Sequence, residues 1–201
     1  MVSLRVAAMV PVTEAEGPYR RFAIWVQGCP LACPGCCNPE MWAREGGSVW
    51  ALDRLMASIV TARERHGIEG VTLLGGEPFV QARAVAELAA ELQTAGLGVL
   101  VFSGYTRAEI EACPEGPPVL ASVDTLVDGR YNRALPEPPG GRRYLGSTNQ
   151  TLHHLSPRYA NPELWRGPNH VEVQVDPDGS VSVHGYPELG RRLLRQLHGR
   201  G

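Results

Sequence analysis

No stretch of the 201-residue chain approaches the ~18 consecutive apolar residues that a membrane-spanning helix needs. The opening residues, Met-Val-Ser-Leu-Arg-Val-Ala-Ala-Met-Val-Pro, lack a basic segment followed by a long apolar one. No secretory leader is therefore expected. Neither sign of charge is in surplus, with 19 basic against 21 acidic residues and a net charge of -2. That balance argues against general affinity for nucleic acid or an anionic membrane, both of which call for a basic excess. Internal repeats and low-complexity tracts are missing too. Cysteine is scarce, at five residues, and four of the five fall between positions 29 and 37. A disulfide framework would spread them along the chain, whereas a tight cluster in a reducing compartment points to metal binding or redox chemistry. The expectation is a soluble, cytoplasmic protein.

What is present is ordinary globular composition, 43% hydrophobic and 20% charged, in a length that supports one domain spanning 1–201. Short apolar runs alternate with helical stretches, the mark of an α/β fold. Leu4–Val10 and Phe22–Val26 read as strands joined through Gly17-Pro18. Leu52, Leu55, Met56, Ile59 and Val60 fall on one face of a helix, as do Val85, Leu88, Ala89 and Leu92. Val71–Leu74, Gly98–Phe102 and Leu126-Val127 read as further strands, and Arg107–Ala112 as a short helix. Leu135–Pro168, rich in Pro, Gly and Arg, reads as irregular. Alternation at Val171, Val173 and Val175, a turn at Asp176-Pro177-Asp178-Gly179, and alternation again at Val181 and Val183 predict a hairpin. A terminal helix over Pro187–His198 follows.

Four strand units ending in glycine or polar residues suggest a parallel sheet, open or curled into a partial barrel, with its chemistry beyond the carboxyl ends of the strands. The cysteine loop, Gly75-Gly76-Glu77-Pro78, Ser103-Gly104-Tyr105 and Asp128 all fall there.

In Cys29-Pro-Leu-Ala-Cys33-Pro-Gly-Cys36, gaps of three and two residues let a single loop wrap one metal centre. Thiolates suit iron–sulfur clusters and zinc, but structural zinc takes four ligands. Only three cysteines here are well spaced, since Cys37 adjoins Cys36 and Cys113 is remote. Three cysteines on a four-iron cluster leave one iron open, as a reactive centre requires. The loop thus reads as an iron–sulfur site in preference to zinc or buried free thiols, and Cys37 and Cys113 as buried small hydrophobes. His153 and His154, being adjacent, point apart and read as structural or partner-contacting. Arg142-Arg143 reads as a solvated pair, and Trp25, Trp42 and Trp50 as packing around the loop.

Taken together, Gly28-Cys29 through Cys37-Asn38, Leu74–Pro78, Phe102–Tyr105, Leu126-Val-Asp-Gly-Arg130 and Gly146-Ser-Thr-Asn-Gln through Leu155 resemble the radical S-adenosylmethionine (radical SAM) superfamily. The resemblance is to its glycyl-radical branch, the activating enzymes of anaerobic ribonucleotide reductase. It implies a radical SAM-type partial (βα) barrel with its core at about 20–155, beyond which the hairpin and helix read from the residue pattern form a C-terminal extension at about 169–199. It also implies a 4Fe-4S cluster on Cys29, Cys33 and Cys36, and S-adenosyl-L-methionine held by Gly75, Gly76, Glu77 and Ser103. Asp128 would lie near the substrate glycine or a cation. The implied partners are a glycyl-radical enzyme, the anaerobic ribonucleotide reductase, and a flavodoxin or ferredoxin as electron donor. Tyr19, where the family has a smaller residue, Cys37 and the extension depart from the pattern. They motivate a second reading, radical modification of a small molecule or peptide. A third, an electron-transfer or sensor module, leaves the Gly-Gly-Glu-Pro turn without a purpose.

Overall fold

Two extended segments open the chain, β1 (Ser3–Thr13) and β2 (Arg21–Val26), paired antiparallel across the Gly17-Pro18 loop. Every residue of β2 is buried, so the strand must be covered on both faces. In the computed structural model, which describes residues 2–138, 140–175, 179, 181–186, 189–190, 192–193 and 195, the cover comes from helices on one side and loops on the other. Strand β3 (Ser48–Ala51) flanks β1. Helix α1 (Leu52–His66) then leads to β4 (Gly70–Gly75), α2 (Ala82–Thr94) to β5 (Gly98–Phe102), and α3 (Arg107–Glu111) with α4 (Gly116–Leu120) to β6 (Thr125–Asp128). β7 (Thr151–His154) closes the series.

The seven-stranded sheet runs β3-β1-β2-β4-β5-β6-β7. Its centre, β2-β4-β5-β6, is parallel, and β1, β3 and β7 are antiparallel to their neighbours. The sheet expected as parallel is therefore mixed, and its end strands β3 and β7 do not pair, so no barrel closes. β7 also corrects the irregular reading of Leu135–Pro168. Thr-Leu-His-His carries one aliphatic residue and no apolar run, and the strand exists because β6 offers it a ladder.

α1 and α2 press Leu55, Ile59, Val85, Leu88 and Leu92 onto Phe22, Ile24, Leu73 and Val101. α1 stops at Gly67 in the left-handed region, with Arg63, Arg65 and His66 in its last turn, where cations suit the helix dipole. The opposite face of the sheet holds smaller clusters around Trp25 and Met41 and around Leu100, Tyr159 and Trp165. The extension forms its own two-stranded sheet, β8 (Val171–Val175) with β9 (Val181–Gly185). Asp176, Pro177 and Asp178 of the expected turn lie outside the described residues, as do Pro187, Glu188, Arg191, Leu194 and 196–198 of the expected terminal helix.

At the amino ends of the parallel strands sits Arg21, fully buried. Its guanidinium donates to Thr72 Oγ1 at 2.6 Å, Val71 O at 2.7 Å, Tyr159 OH at 2.8 Å and Pro18 O at 3.3 Å, and pairs with Glu69. Tyr159 OH donates in turn to Glu69. A buried cation so fully paired is costly to disturb, because its partners stay behind desolvated. Arg21→Ala is expected to lower the stability of the metal-free protein by about 3–5 kcal/mol in urea unfolding; a loss below about 1 kcal/mol would show that the network is solvated.

Candidate functional site

The loop that leaves β2 is folded back on itself by main-chain bonds. Gly28 N donates to Met41 O at 2.9 Å and Cys29 N to Trp42 O at 3.0 Å. Gln27 adds side-chain bonds to Glu40 O and Ala43 O. Cys29, Cys33 and Cys36 project from this loop, each half-buried, into one cleft of about 430 Å³.

The turn after β4 meets the same loop. Parallel pairing of β2 and β4 ends at Val26 and Gly75, and two more bonds prolong it: Gly76 N to Val26 O at 2.8 Å and Glu77 N to Gly28 O at 2.9 Å. Nothing larger than glycine fits. A Cβ on Gly75, whose φ is 103°, would stand 2.7 Å from Trp25 Cα, and one on Gly76 would stand 2.5 Å from Gly28 O. The two glycines thus bring main chain, and no side chain, to the wall of the cleft beside the cysteines.

Glu77 does something different. Its carboxylate is completely buried and accepts from Ser103 Oγ at 2.8 Å, Gly104 N at 2.8 Å and Phe79 N at 3.1 Å. It ties the end of β4 to the end of β5. Burial pushes its pKa up to about 7 against these three bonds, which pull the other way. Ser103, also buried, spends its hydroxyl on Glu77 and on Tyr105 N.

Asp128 is not brought to the cleft. Alternation along β6 places Leu126 in the helix-side core and Val127 on the inner face, so Asp128 shares the side of Leu126. Its Oδ2 accepts from Arg107 N at 2.5 Å, at the start of α3, and its Oδ1 lies 3.2 Å from His153 Nε2. His154 faces the other way, Nδ1 being 3.1 Å from Thr125 Oγ1.

The Ser-Thr-Asn-Gln segment braces the loop after β6. Gln150 bonds Gly146 N, Ser147 N and Gly129 O, Ser147 Oγ accepts from Asn132 N, and Asn149 donates to Arg130 O. Arg142, read as solvated, pairs with the buried Glu137 at 2.8 Å and caps Gln150 O at 2.7 Å. Trp25 and Trp42 do line the cleft, while Trp50 lies under Arg54. Cys37 and Cys113 are exposed, not buried as isolated cysteines usually are, because both sit in surface loops.

The cleft also contains residues that nothing in the sequence singled out: Glu16, Tyr131, Tyr144, His184 and Gly185. They come from four separate segments, and only the folded chain gathers them. Glu16 had one local hint, its place beside the Gly17-Pro18 turn. Burial pushes its carboxyl up to about 7, offset by the bond from Gly185 N and reinforced by Glu172.

Among the described residues, no three His, Cys, Asp or Glu side chains close around a single ion. Three thiols on one loop, facing one cleft without converging, suit a cage of several metal atoms better than one zinc. Cys36 is prepared for the thiolate form: hydrogen bonding from the Cys37 thiol lowers its pKa to about 6, and Asn38 N approaches its Sγ at 3.4 Å. Desolvation raises the pKa of Cys29 and Cys33.

Comparison with known proteins agrees with this geometry. Residues 15–153 match a family model described as a 4Fe-4S single cluster domain. Among similar proteins are the anaerobic ribonucleoside-triphosphate reductase-activating proteins of Vibrio cholerae, 29% identical over 73% of this chain and 95% of theirs, and of Salmonella typhimurium, 30% identical over 72% and 95%. The protein of that name from Enterobacteria phage T4 is 27% identical over 71% of this chain and 88% of its own.

Because the folded pKa of Glu77 lies above its value in an unfolded chain, its contribution to stability is full below about 4.5 and is lost as pH rises through about 7. Glu77→Gln sets an amide N–H against a donor and is expected to cost about 2 kcal/mol. The cost should be larger at pH 5 than at pH 8 in urea titrations of the metal-free protein. Equal costs at both would mean that the carboxyl titrates normally.

Proposed function

The chain belongs to the 4Fe-4S single cluster domain family, and on that premise we propose that it is a radical SAM activating enzyme of anaerobic ribonucleotide reductase. Cys29, Cys33 and Cys36 would hold a 4Fe-4S cluster through their three thiolates, and such a cluster would supply, once reduced, the electron for cleavage of the sulfonium C–S bond of S-adenosyl-L-methionine and so the deoxyadenosyl radical that would take a hydrogen atom from a backbone glycine of the reductase. The observation that carries this reading is the shared cleft, in which the three cysteines and the main chain of Gly75-Gly76 face the same space.

The chain's own residues divide the work. Gly75 and Gly76 offer peptide groups to the methionyl end, and their lack of Cβ allows that wall to lie against the cysteine loop. Glu77 and Ser103 act behind them as positioning residues, since their polar atoms are spent on each other and on nearby main chain. Asp128 works at one remove, fixing the start of α3 through Arg107 N. Trp25, Phe102 and Tyr131 give the cleft apolar sides, which exclude water from a centre that a reactive radical must not leave. On this reading the parallel centre of the sheet corresponds to the partial barrel of the superfamily, in a single domain, with β8 and β9 as an addition to it.

Anaerobic reconstitution tests this reading. The wild type should bind about four irons and four sulfides, as a 4Fe-4S cluster requires, and release 5′-deoxyadenosine on reduction with S-adenosylmethionine. Cys29→Ser, Cys33→Ser and Cys36→Ser should each lose cluster and product together, while Cys37→Ser and Cys113→Ser keep both. With the reductase added, a glycyl radical should appear in its electron paramagnetic resonance spectrum. An intact, reduced cluster that forms no deoxyadenosine would overturn the proposal.

A further inference from the structure

The described part of the extension does not stand apart from the cleft; it enters it. β9 ends at Gly185, and Val183, His184, Gly185 and Tyr186 line the same cavity as the three cysteines. The match to the family model ends at residue 153, and the Vibrio cholerae relative is covered to 95% of its length while accounting for 73% of this chain. The occupant of this part of the cleft is therefore supplied by sequence beyond the matched family domain.

Its seating is specific. Gly185 N donates to Glu16 Oε1 at 2.7 Å, and the His184 ring lies over Trp25 with centroids 5.3 Å apart. Gly185 has φ of 104°, and a Cβ there would meet His170 O at 2.4 Å and Ala15 Cβ at 2.9 Å, so only glycine can take this place. Outside the cleft the hairpin is anchored by Glu172 Oε1, which accepts from Glu14 N at 2.8 Å, and by Arg143 against His170 at 2.8 Å.

We infer that His184-Gly185-Tyr186 is an internal competitor for the substrate, a glycine-bearing segment of the chain's own seated where a glycine-bearing segment of the partner must enter. The inference rests on the partner reading above. With the hairpin end in place about 430 Å³ is left, and the cluster, the methionyl end of the co-substrate and a peptide segment of the partner would all have to share it. The partner's segment must displace the hairpin end, and its affinity is reduced by the free energy that holds the hairpin in place. The fit of His184 to Trp25 and of Gly185 to Glu16 thereby sets which segments can win. A segment that reproduces a strand-end glycine with a flanking ring matches the vacated contacts; a bulkier residue in place of the glycine does not. His184 and Gly185 are specificity-determining by exclusion.

The experiment uses the full-length, cluster-loaded protein and the cognate reductase. Amide hydrogen exchange is followed over residues 183–186 with and without reductase, and the reductase concentration giving half-maximal glycyl radical is measured for wild type, His184→Ala and Glu172→Ala. Glu172→Ala weakens the anchor outside the cleft and leaves the cleft walls intact. Protection at His184-Gly185-Tyr186 should fall when reductase binds. Both variants should need several-fold less reductase, and Glu172→Ala should do so with S-adenosylmethionine affinity and deoxyadenosine formation in the absence of reductase unchanged. Protection that persists or rises on binding, or half-maximal concentrations equal to wild type, would overturn the competitor and leave the hairpin as a fixed wall. Failure of wild type and both variants to bind the reductase at all would instead overturn the partner reading, and the competitor with it.

Discussion

Two main-chain hydrogen bonds organise everything at the top of this sheet: Gly76 N to Val26 O and Glu77 N to Gly28 O. They carry the β2–β4 ladder past the point where both strands stop, so the cysteine loop and the Gly-Gly turn are set by the register of a parallel pair. A parallel register cannot slip without turning every side chain of a strand to the opposite face. In β2 that would exchange Phe22, Ile24 and Val26 for Arg21, Ala23 and Trp25 on the helix side, which the packing of α1 and α2 forbids. The position of the thiols relative to the turn is thus specified by the hydrophobic core, several residues away. Glu77 extends the constraint sideways to β5 through Ser103 and Gly104, at the cost of burying a carboxyl.

The elements legible in the sequence were those whose pattern is local. α1 and α2 repeat apolar residues at helical spacing; the buried face of α2 is the one the pattern names, while in α1 Leu52, Leu55 and Ile59 are buried but Met56 is only half-buried and Val60 faces solvent. The cysteine loop and the Gly-Gly turn follow strands with continuous apolar runs, and both were placed at strand ends from that alone. β7 was not legible, because Thr-Leu-His-His owes its strand form to an edge of β6 that is assembled elsewhere. β3 and α4 are short and carry no period of their own.

The site divides in the same way. Three thiols and two glycines sit in motifs that a reader can see. Glu16, Tyr144 and Gly185 come together only through the return of the chain across the sheet, whereas Trp25, next to the loop in sequence, was legible as a residue packing around it. Asp128 shows the finer limit: its place at a strand end was legible, but which face it takes depends on parity along β6, fixed by Leu126 and Val127. The Ser-Thr-Asn-Gln segment enters the sequence reading only as part of a resemblance, and in the fold its polar atoms are spent on the loop it supports.

The hairpin β8–β9 shares no ladder with the seven-stranded sheet, and the sheet itself is left open between β3 and β7. A closed barrel would have to be rebuilt to admit a new wall; an open one need only be covered. Side-chain contacts and a single carboxylate-to-amide bond hold the cover at the cleft, so it can be lost, lengthened or exchanged in evolution without disturbing the core beneath. The covering hairpin and the sheet it covers are thus held together by separate sets of hydrogen bonds.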